Sequence, residues 1–76
     1  MGQLSNISPR KYRDFLASLG LHFSHYNGRH EIWVKEGLLR PVTFQTHIDP
    51  VPEFIIKNGL RNIGVARQVL IDFLSK

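Results

Sequence analysis

The strongest structural signal in this chain is an Asn-Gly dipeptide at positions 27 and 28. Apolar and polar residues alternate from position 21 up to the dipeptide and again from position 30 to position 35, and a period of two is typical of β-strands. Asn-Gly is the pair most favoured in a two-residue type I′ turn, because both loop positions need positive φ. The sequence therefore predicts a β-hairpin whose loop is Asn27-Gly28.

The pairing of the two strands follows from that loop by counting. His25 should face His30, and Phe23 should face Ile32. By this count, the residues on the core face are Leu21, Phe23, Ile32 and Val34. The residues on the opposite face are His22, Ser24, Tyr26, Arg29, Glu31, Trp33 and Lys35. His30 then lies at the rim of the buried face.

A helix is predicted before the hairpin. Ser8 is a favoured N-cap residue, and Pro9 suits the first helical position because its missing N–H has no partner there. Apolar residues then recur at helical spacing, and Gly20 suits the left-handed conformation that follows many helices. We expect this helix to run from Pro9 to Leu19.

The second half of the chain predicts one strand and two helical segments. Residues 42–47 resemble a third strand with Val42 and Phe44 pointing inward. Residues 53–57 should form a short helical turn that stops at Asn58-Gly59. The last helix should start near Asn62 and present to the sheet Val65, Val69, Leu70 and Phe73.

Together these elements predict one α+β domain over residues 1–76. The expected layout is α-β-β-β-α, as in a double-stranded-RNA-binding domain: a three-stranded antiparallel sheet, two helices on one face, and a short helical insert before the last helix. The chain has 76 residues and no cysteine, so apolar packing has to hold the fold. It shows neither a secretory signal nor an apolar run near the roughly 18 residues of a membrane span, so we expect a soluble, cytoplasmic protein.

The charge balance favours a polyanionic partner without identifying one. Ten Lys and Arg oppose six Asp and Glu, which gives a formal net charge of +4. Such a balance favours nucleic acid, because neutralising phosphates releases counterions. The basic residues are scattered, however, so charge alone leaves nucleic-acid binding open.

Several short motifs, in order, resemble the HicA family. They are the opening Ile7-Ser-Pro-Arg-Lys11, the helix end Leu19-Gly20, the segment Gly28-Arg-His-Glu-Ile-Trp33 and the late segment Gly64-Val-Ala-Arg-Gln-Val-Leu70. The family usually has Gly-Ser-His in the third of these, and Gly-Thr-Leu-Arg-Ser-Ile-Leu in the fourth. Two departures are Arg29 in place of the small residue and a longer link between Phe44 and Gly64.

The resemblance implies the toxin component of a type II toxin–antitoxin system. Such a toxin is an endoribonuclease (mRNA interferase) that acts on mRNA through an essential strand histidine, and His30 is the matching position. A HicB-type antitoxin protein would cover the active region. The resemblance implies no cofactor.

Histidine suits RNA cleavage because its ordinary pKa lies near neutrality. RNA is cut without a metal when one group takes the proton of the ribose 2′-OH, another protonates the leaving 5′-oxygen, and a cation stabilises the charged phosphorane. His30 can act as the base or the acid, with Arg29 beside it holding a phosphate. The alternative is that His30 only ends the core face and bonds to the backbone.

The other candidate residues surround His30 in this interpretation. We expect RNA contacts from Gly28, Arg29, Lys35 and, given the family resemblance, Arg67. Auxiliary roles are open for His25, which could share a substrate or a proton relay with His30, and for Tyr26 and Trp33, whose rings can stack on bases or contact the antitoxin. No metal is expected, because the histidines do not converge and no cysteine completes a ligand set. A non-enzymatic RNA-binding module of the same fold is the main alternative, and an interaction-only remnant is a third.

Overall fold

The computed structural model describes residues 4–75 and has an α+β fold. Its elements are, in order, α1 (Pro9–Ser18), β1 (His22–Asn27), β2 (His30–Val34), β3 (Val42–Gln45), α2 (Glu53–Ile63) and α3 (Arg67–Leu74). The strands form one antiparallel sheet in the order β1-β2-β3, so the predicted α-β-β-β-α layout is confirmed. Residues 1–3 and 76, which belong to the predicted domain, lie outside the described residues. Within residues 4–75, no helix has the length and apolar character that a membrane crossing needs.

Helix α1 begins and ends almost where its capping residues predict. The Ser8 hydroxyl accepts a hydrogen bond from the Lys11 backbone N–H at 3.1 Å, and Pro9 occupies the first turn. Gly20 has φ of 91°, the left-handed conformation expected after a helix. The last helical residue is Ser18, one before the predicted end.

The predicted loop of the hairpin is wrong by one residue. Asn27 pairs with His30, so the two loop residues are Gly28 and Arg29. Gly28 has φ of 63°, whereas neither Asn27 nor Arg29 is among the described residues with positive φ. A type II′ turn has glycine at the first loop position and positive φ at that position alone, which is the pattern seen here. The predicted type I′ turn needs positive φ at both loop positions.

The faces of β2 are the reverse of those predicted. A two-residue loop moved by one position shifts the register by two residues and keeps the facing, so the reversal relative to Phe23 comes from an extra residue in β1. Phe23 pairs with Trp33 instead of Ile32. Glu31 and Trp33, predicted to point outward, are therefore buried against the helices. Ile32 is also little exposed, at 9%, but it does not belong to the core cluster. We call the side that carries Glu31 and Trp33 the inner face, and the opposite side the outer face.

A β-bulge at Ser24 changes the facing of β1 as well. Phe23 pairs with Trp33 and His25 with Ile32, which leaves Ser24 as the extra residue on β1. The bulge resets the alternation, so His25 lies on the outer face instead of the predicted inner one. His25 does not face His30.

The core lies between the inner face and the helices. Tyr12 and Phe15 of α1 meet Phe44 and Phe73 edge-on or tilted, with ring centroids 5.0 and 5.5 Å apart respectively. Val42 and Phe44 point inward as predicted. Leu70 from α3 is fully buried in the same cluster, whereas Val69, which was also predicted to face the sheet, is exposed.

The predicted break at Asn58-Gly59 is absent, and α2 runs through it to Ile63. A Cβ at Gly59 would overlap the Tyr12 hydroxyl and approach Cγ1 of Val42 at 3.4 Å. Gly59 therefore permits close packing of α2 on the core and does not end the helix. The stop is Gly64, with φ of 87°.

Helix α3 accordingly begins at Arg67 and not near Asn62. Asn62 does not cap it, because its side-chain Nδ2 donates to the Pro41 carbonyl at 3.3 Å. This bond ties the end of α2 to the residue before β3.

Candidate functional site

The outer face of the sheet gathers three of the four histidines. The strand register gives them a common side, because His22 pairs with Val34, His25 with Ile32, and His30 lies two residues before Ile32 on β2. All three imidazoles are exposed. The sequence pattern alone had put His22 and His25 on opposite faces, and the bulge at Ser24 places them on the same face.

His30 is the first residue of β2 and lies between Asn27 on β1 and Gln45 on β3. It is exposed, and it lines a cavity of about 290 Å³ that opens on the outer face. The other lining residues come from β3, from the following loop and from the start of α2: Thr43, Gln45, Ile48, Pro52, Phe54 and Ile55. His30 thus combines solvent access with an adjacent, partly apolar pocket, an arrangement common in binding sites.

His25 is the nearest further imidazole in the register. It stands diagonal to His30 across the β1–β2 ladder, where side chains are typically about 7–8 Å apart. The Ser24 hydroxyl and Nδ1 of His25 are 2.9 Å apart, which orients the ring. His47 is exposed in the turn after β3. Among residues 4–75, no group of three or more histidines and carboxylates is arranged to hold a metal ion.

Gly28 and Arg29 form the turn next to His30. Nothing would lie within 4 Å of a Cβ at Gly28, so the backbone there is open to solvent. The Arg29 side chain is exposed, and its carbonyl accepts a hydrogen bond from the Thr46 N–H at 3.0 Å. This bond holds the turn against the end of β3, and leaves the guanidinium free to meet a ligand.

The two other predicted RNA-binding residues do not line the cavity that holds His30. Lys35 donates from Nζ to the Leu19 carbonyl at 2.9 Å, so it caps the C-terminal end of α1. Arg67 is exposed at the first turn of α3.

Trp33 and Tyr26 occupy different environments from those predicted. Trp33 is buried, and its Nε1 donates to Glu31 Oε1 at 3.0 Å, so its ring cannot stack on a base without unfolding the core. Tyr26 is 60% exposed and meets Phe23 edge-on, with ring centroids 4.9 Å apart. It pairs with Glu31, so it lies on the inner side of the edge strand, away from His30.

A partly buried ion pair lies on the inner face next to His30. Arg13 Nη2 of α1 donates to Glu31 Oε2 at 2.6 Å and to the Thr46 hydroxyl at 3.0 Å, and its Nε bonds both Glu31 oxygens. The Glu31 side chain is 3% exposed and that of Arg13 is 35% exposed. The guanidinium also stands 5.9 Å from the Phe44 ring centroid. These bonds join α1 to β2 and β3 beside His30.

The surroundings of Glu31 keep its carboxylate ionised. Burial acts to raise the pKa of Glu31, but hydrogen bonds from Arg13, Thr46 and Trp33 outweigh it, so the pKa lies below its ordinary value. The hydrogen bond between Arg13 and Glu31 also raises the pKa of Arg13. Neither group is among the residues that line the His30 cavity, so the pair contributes to the packing of α1 on the sheet.

Sequence reasoning missed the cavity residues on β3 and α2. Thr43 and Gln45 alternate with the buried Val42 and Phe44, so their outward direction was readable from that pattern. Phe54, which is 64% exposed, was not identified as a site residue because residues 53–57 were predicted to form only a short helical turn.

Comparison of the chain with protein-family models, with curated proteins and with solved structures finds no match in any of the three. The resemblance to the HicA family therefore rests on the motifs quoted above, and membership stays a prediction.

Proposed function

We propose that this chain is an RNA-cleaving toxin of the HicA type, with His30 as its catalytic residue. The observation that carries the proposal is the position of His30: exposed on the outer face, at the edge of a cavity, beside the turn that carries Arg29. A side chain that only filled the rim of the core would not be open to a ligand on this side.

The proposed reaction is transfer of the RNA phosphoryl group from the 5′-oxygen to the neighbouring 2′-oxygen. One imidazole takes the 2′-OH proton, the 2′-oxygen bonds to phosphorus, and the 5′-oxygen leaves with a proton from a second donor, yielding a cyclic phosphate and a 5′-hydroxyl. His30 supplies one of these proton transfers. His25, on the same face one diagonal away, is a suitable second group. Arg29 would stabilise the charge on the phosphorane.

The walls of the cavity suit an unpaired nucleotide. Phe54 offers an exposed ring on which a base can stack, and Gln45, paired with His30, offers an amide for hydrogen bonds. This assigns to Phe54 the stacking role that the sequence suggested for Trp33 and Tyr26. Cleavage of single-stranded mRNA follows from such a site, because a base has to leave its helix to enter it.

We further propose a HicB-type antitoxin as the protein partner. Ile48 and Phe54 expose large apolar side chains beside His30. A partner that covered them would bury apolar surface and block the cavity in one step.

A non-enzymatic RNA-binding module is the second candidate. It is favoured by the net charge of +4, which attracts a polyanion without requiring any reaction at His30. In that case the outer face would bind RNA, and the imidazole of His30 would not take part in any reaction.

The test is cleavage of a labelled mRNA by the purified chain, free of antitoxin and with EDTA present. We expect wild type to cut and His30→Ala to lose at least about a hundredfold in rate, because removing a general acid or base typically costs that much. His47→Ala is the matched control, since His47 is also exposed but does not line the cavity. Circular dichroism verifies that all three are folded.

Equal cleavage by wild type and His30→Ala would refute the catalytic role. No cleavage by either, with RNA binding intact, would identify the chain as the binding module.

A further inference from the structure

A second cavity, which sequence reasoning did not identify, lies between β3 and α2. It has a volume of about 330 Å³, and its polar lining residues are Arg40, Thr43, Asn58, Arg61 and Asn62. Gly59 forms part of its wall, and the bond from Asn62 to the Pro41 carbonyl holds its far end together. We call it the arginine groove.

The arginine groove presents hydrogen-bond donors and positive charge without a counter-charge. Among residues 4–75, no carboxylate lines it. Among the described residues, Arg13 and Glu31 form the one ion pair. Neither Arg40 nor Arg61 is therefore paired with an acidic side chain. Both guanidiniums are exposed. Guanidiniums flanked by amides suit a phosphate as a ligand, because its oxygens accept bidentate hydrogen bonds.

The groove adjoins the cavity that holds His30. Thr43 and Ile55 line both, so a single trench follows β3 with His30 at one end and the two arginines at the other. The stretch of β3 from Gln45 to Val42 spans roughly 10 Å at the usual rise of a strand. One phosphate cannot reach both ends of such a trench, whereas neighbouring phosphates of one strand can.

We propose that the arginine groove binds a backbone phosphate of the RNA strand whose scissile phosphate lies at His30. This inference rests on the proposed function. It names the substrate as a single strand that follows β3, and it gives Arg40 and Arg61 the role of holding that strand in register with His30. The groove thereby replaces Lys35, which is occupied at the end of α1, as a phosphate contact.

The test measures binding separately from cleavage. Every variant carries His30→Ala, so that the RNA survives, and the probe is a fluorescein-labelled oligouridylate read by anisotropy over a salt series. We expect Arg40→Ala with Arg61→Ala to weaken binding about tenfold or more, and to lower the salt slope by roughly 0.7, which is the contribution of one phosphate contact on a single strand. The exposure of both residues predicts unchanged folding by circular dichroism.

The matched control removes two charges from α1 instead. Arg10 and Lys11 are also exposed, and they border a different cavity, with Ser8 and Asp14. Arg10→Ala with Lys11→Ala should change the affinity less than about threefold. Arg40→Lys with Arg61→Lys should recover the salt slope but only part of the affinity, since an ammonium makes no bidentate contact.

Three outcomes would overturn the inference. Equal losses in the groove and control variants would mean general charge attraction, and no loss in the groove variant would mean that RNA does not use the groove. If instead a labelled oligoglutamate peptide binds wild type, loses binding in the groove variant, and RNA affinity is unchanged, the groove serves an acidic protein partner.

Parallel cleavage assays keep the two claims distinguishable. Wild type that cleaves RNA, together with a groove variant that binds RNA normally, would refute the arginine groove alone. A chain that neither binds nor cleaves RNA would refute the proposed function itself.

Discussion

The polar groups on the two faces of the sheet lie in opposite environments, buried and hydrogen-bonded on one face and exposed to solvent on the other. On the inner face, the Glu31 carboxylate is buried and bonded to Arg13 and Trp33. On the outer face, His30, its immediate neighbour in sequence, is exposed and borders an open cavity. The same contrast separates the paired Arg13 from the unpaired Arg40. One strand therefore anchors the fold with one residue and presents the next residue to solvent.

The largest stability effect should come from breaking the inner-face ion pair. Arg13→Ala leaves the buried Glu31 charge without its partner, and we expect a loss of roughly 3 kcal/mol, at the low end for such pairs because Arg13 is partly exposed. Urea unfolding measures this loss, and the exposed Arg10→Ala on the same helix should stay within about 0.5 kcal/mol of wild type. Similar values for the two variants would remove the distinction between the faces.

A methyl group at Gly59 should also be costly. Gly59→Ala would press on the Tyr12 hydroxyl, and we expect a loss of about 2 kcal/mol, typical of overpacking. Among residues 4–75 that hydroxyl has no hydrogen-bond partner, and burial raises the pKa of Tyr12. Tyr12→Phe should therefore cost little alone and restore much of the Gly59→Ala loss.

Additive losses in that double variant would mean that the hydroxyl is not what crowds Gly59. The measurement is a double-mutant cycle from thermal or urea unfolding.

Lowering the pH should reduce the free energy of unfolding through the protonation of Glu31. Because its pKa is lowered in the folded state, Glu31 contributes stability that is complete above its unfolded pKa and is lost as the pH falls through the folded pKa. Unfolding measured between about pH 7 and about pH 3 should therefore show a steeper loss in wild type than in Glu31→Gln. Parallel curves would show that the pair does not couple protonation to folding.

Lys35 should behave as part of the fold and not as an RNA contact. Lys35→Ala removes the bond to the Leu19 carbonyl and should cost about 0.5 kcal/mol, the scale of a cation at a helix C-terminus. Oligouridylate affinity, measured at fixed salt, should change less than about twofold. A loss as large as that of the arginine-groove variant would return Lys35 to the RNA interface.

The smallest stability effect should come from His30 itself. His30→Ala should change the free energy of unfolding by less than about 0.5 kcal/mol, as expected for an exposed side chain with no structural bond. A larger loss, measured by urea unfolding, would mean that His30 supports the fold, and any loss of cleavage would then have a structural explanation.

The elements that sequence predicted well are those with local causes. Ser8, Pro9 and Gly20 bound α1 through their own backbone preferences, and the alternation at Val42 and Phe44 gave β3 its direction. The elements predicted badly depend on distant contacts. Gly59 resembles a helix stop until Tyr12 and Val42 are seen beside it.

The candidate site divides in the same way. The residues 28–30 were found from the sequence because they stand next to one another in a recognisable motif. Arg40 and Arg61 were not, because 20 intervening residues separate them in the chain and only the packing of α2 beside β3 brings them to one groove.

By itself, the sequence determined the α+β class, the first helix and the existence of a hairpin, and it made His30 the candidate catalytic residue. Tertiary structure alone decided the register, the bulge at Ser24 and the length of α2. The reason is that a strand's two faces differ by a single residue of register, and one extra residue such as Ser24 exchanges them, so the local chain is compatible with either facing. Only the partners across the core, Arg13 for Glu31 and the apolar cluster for Trp33, select one of them.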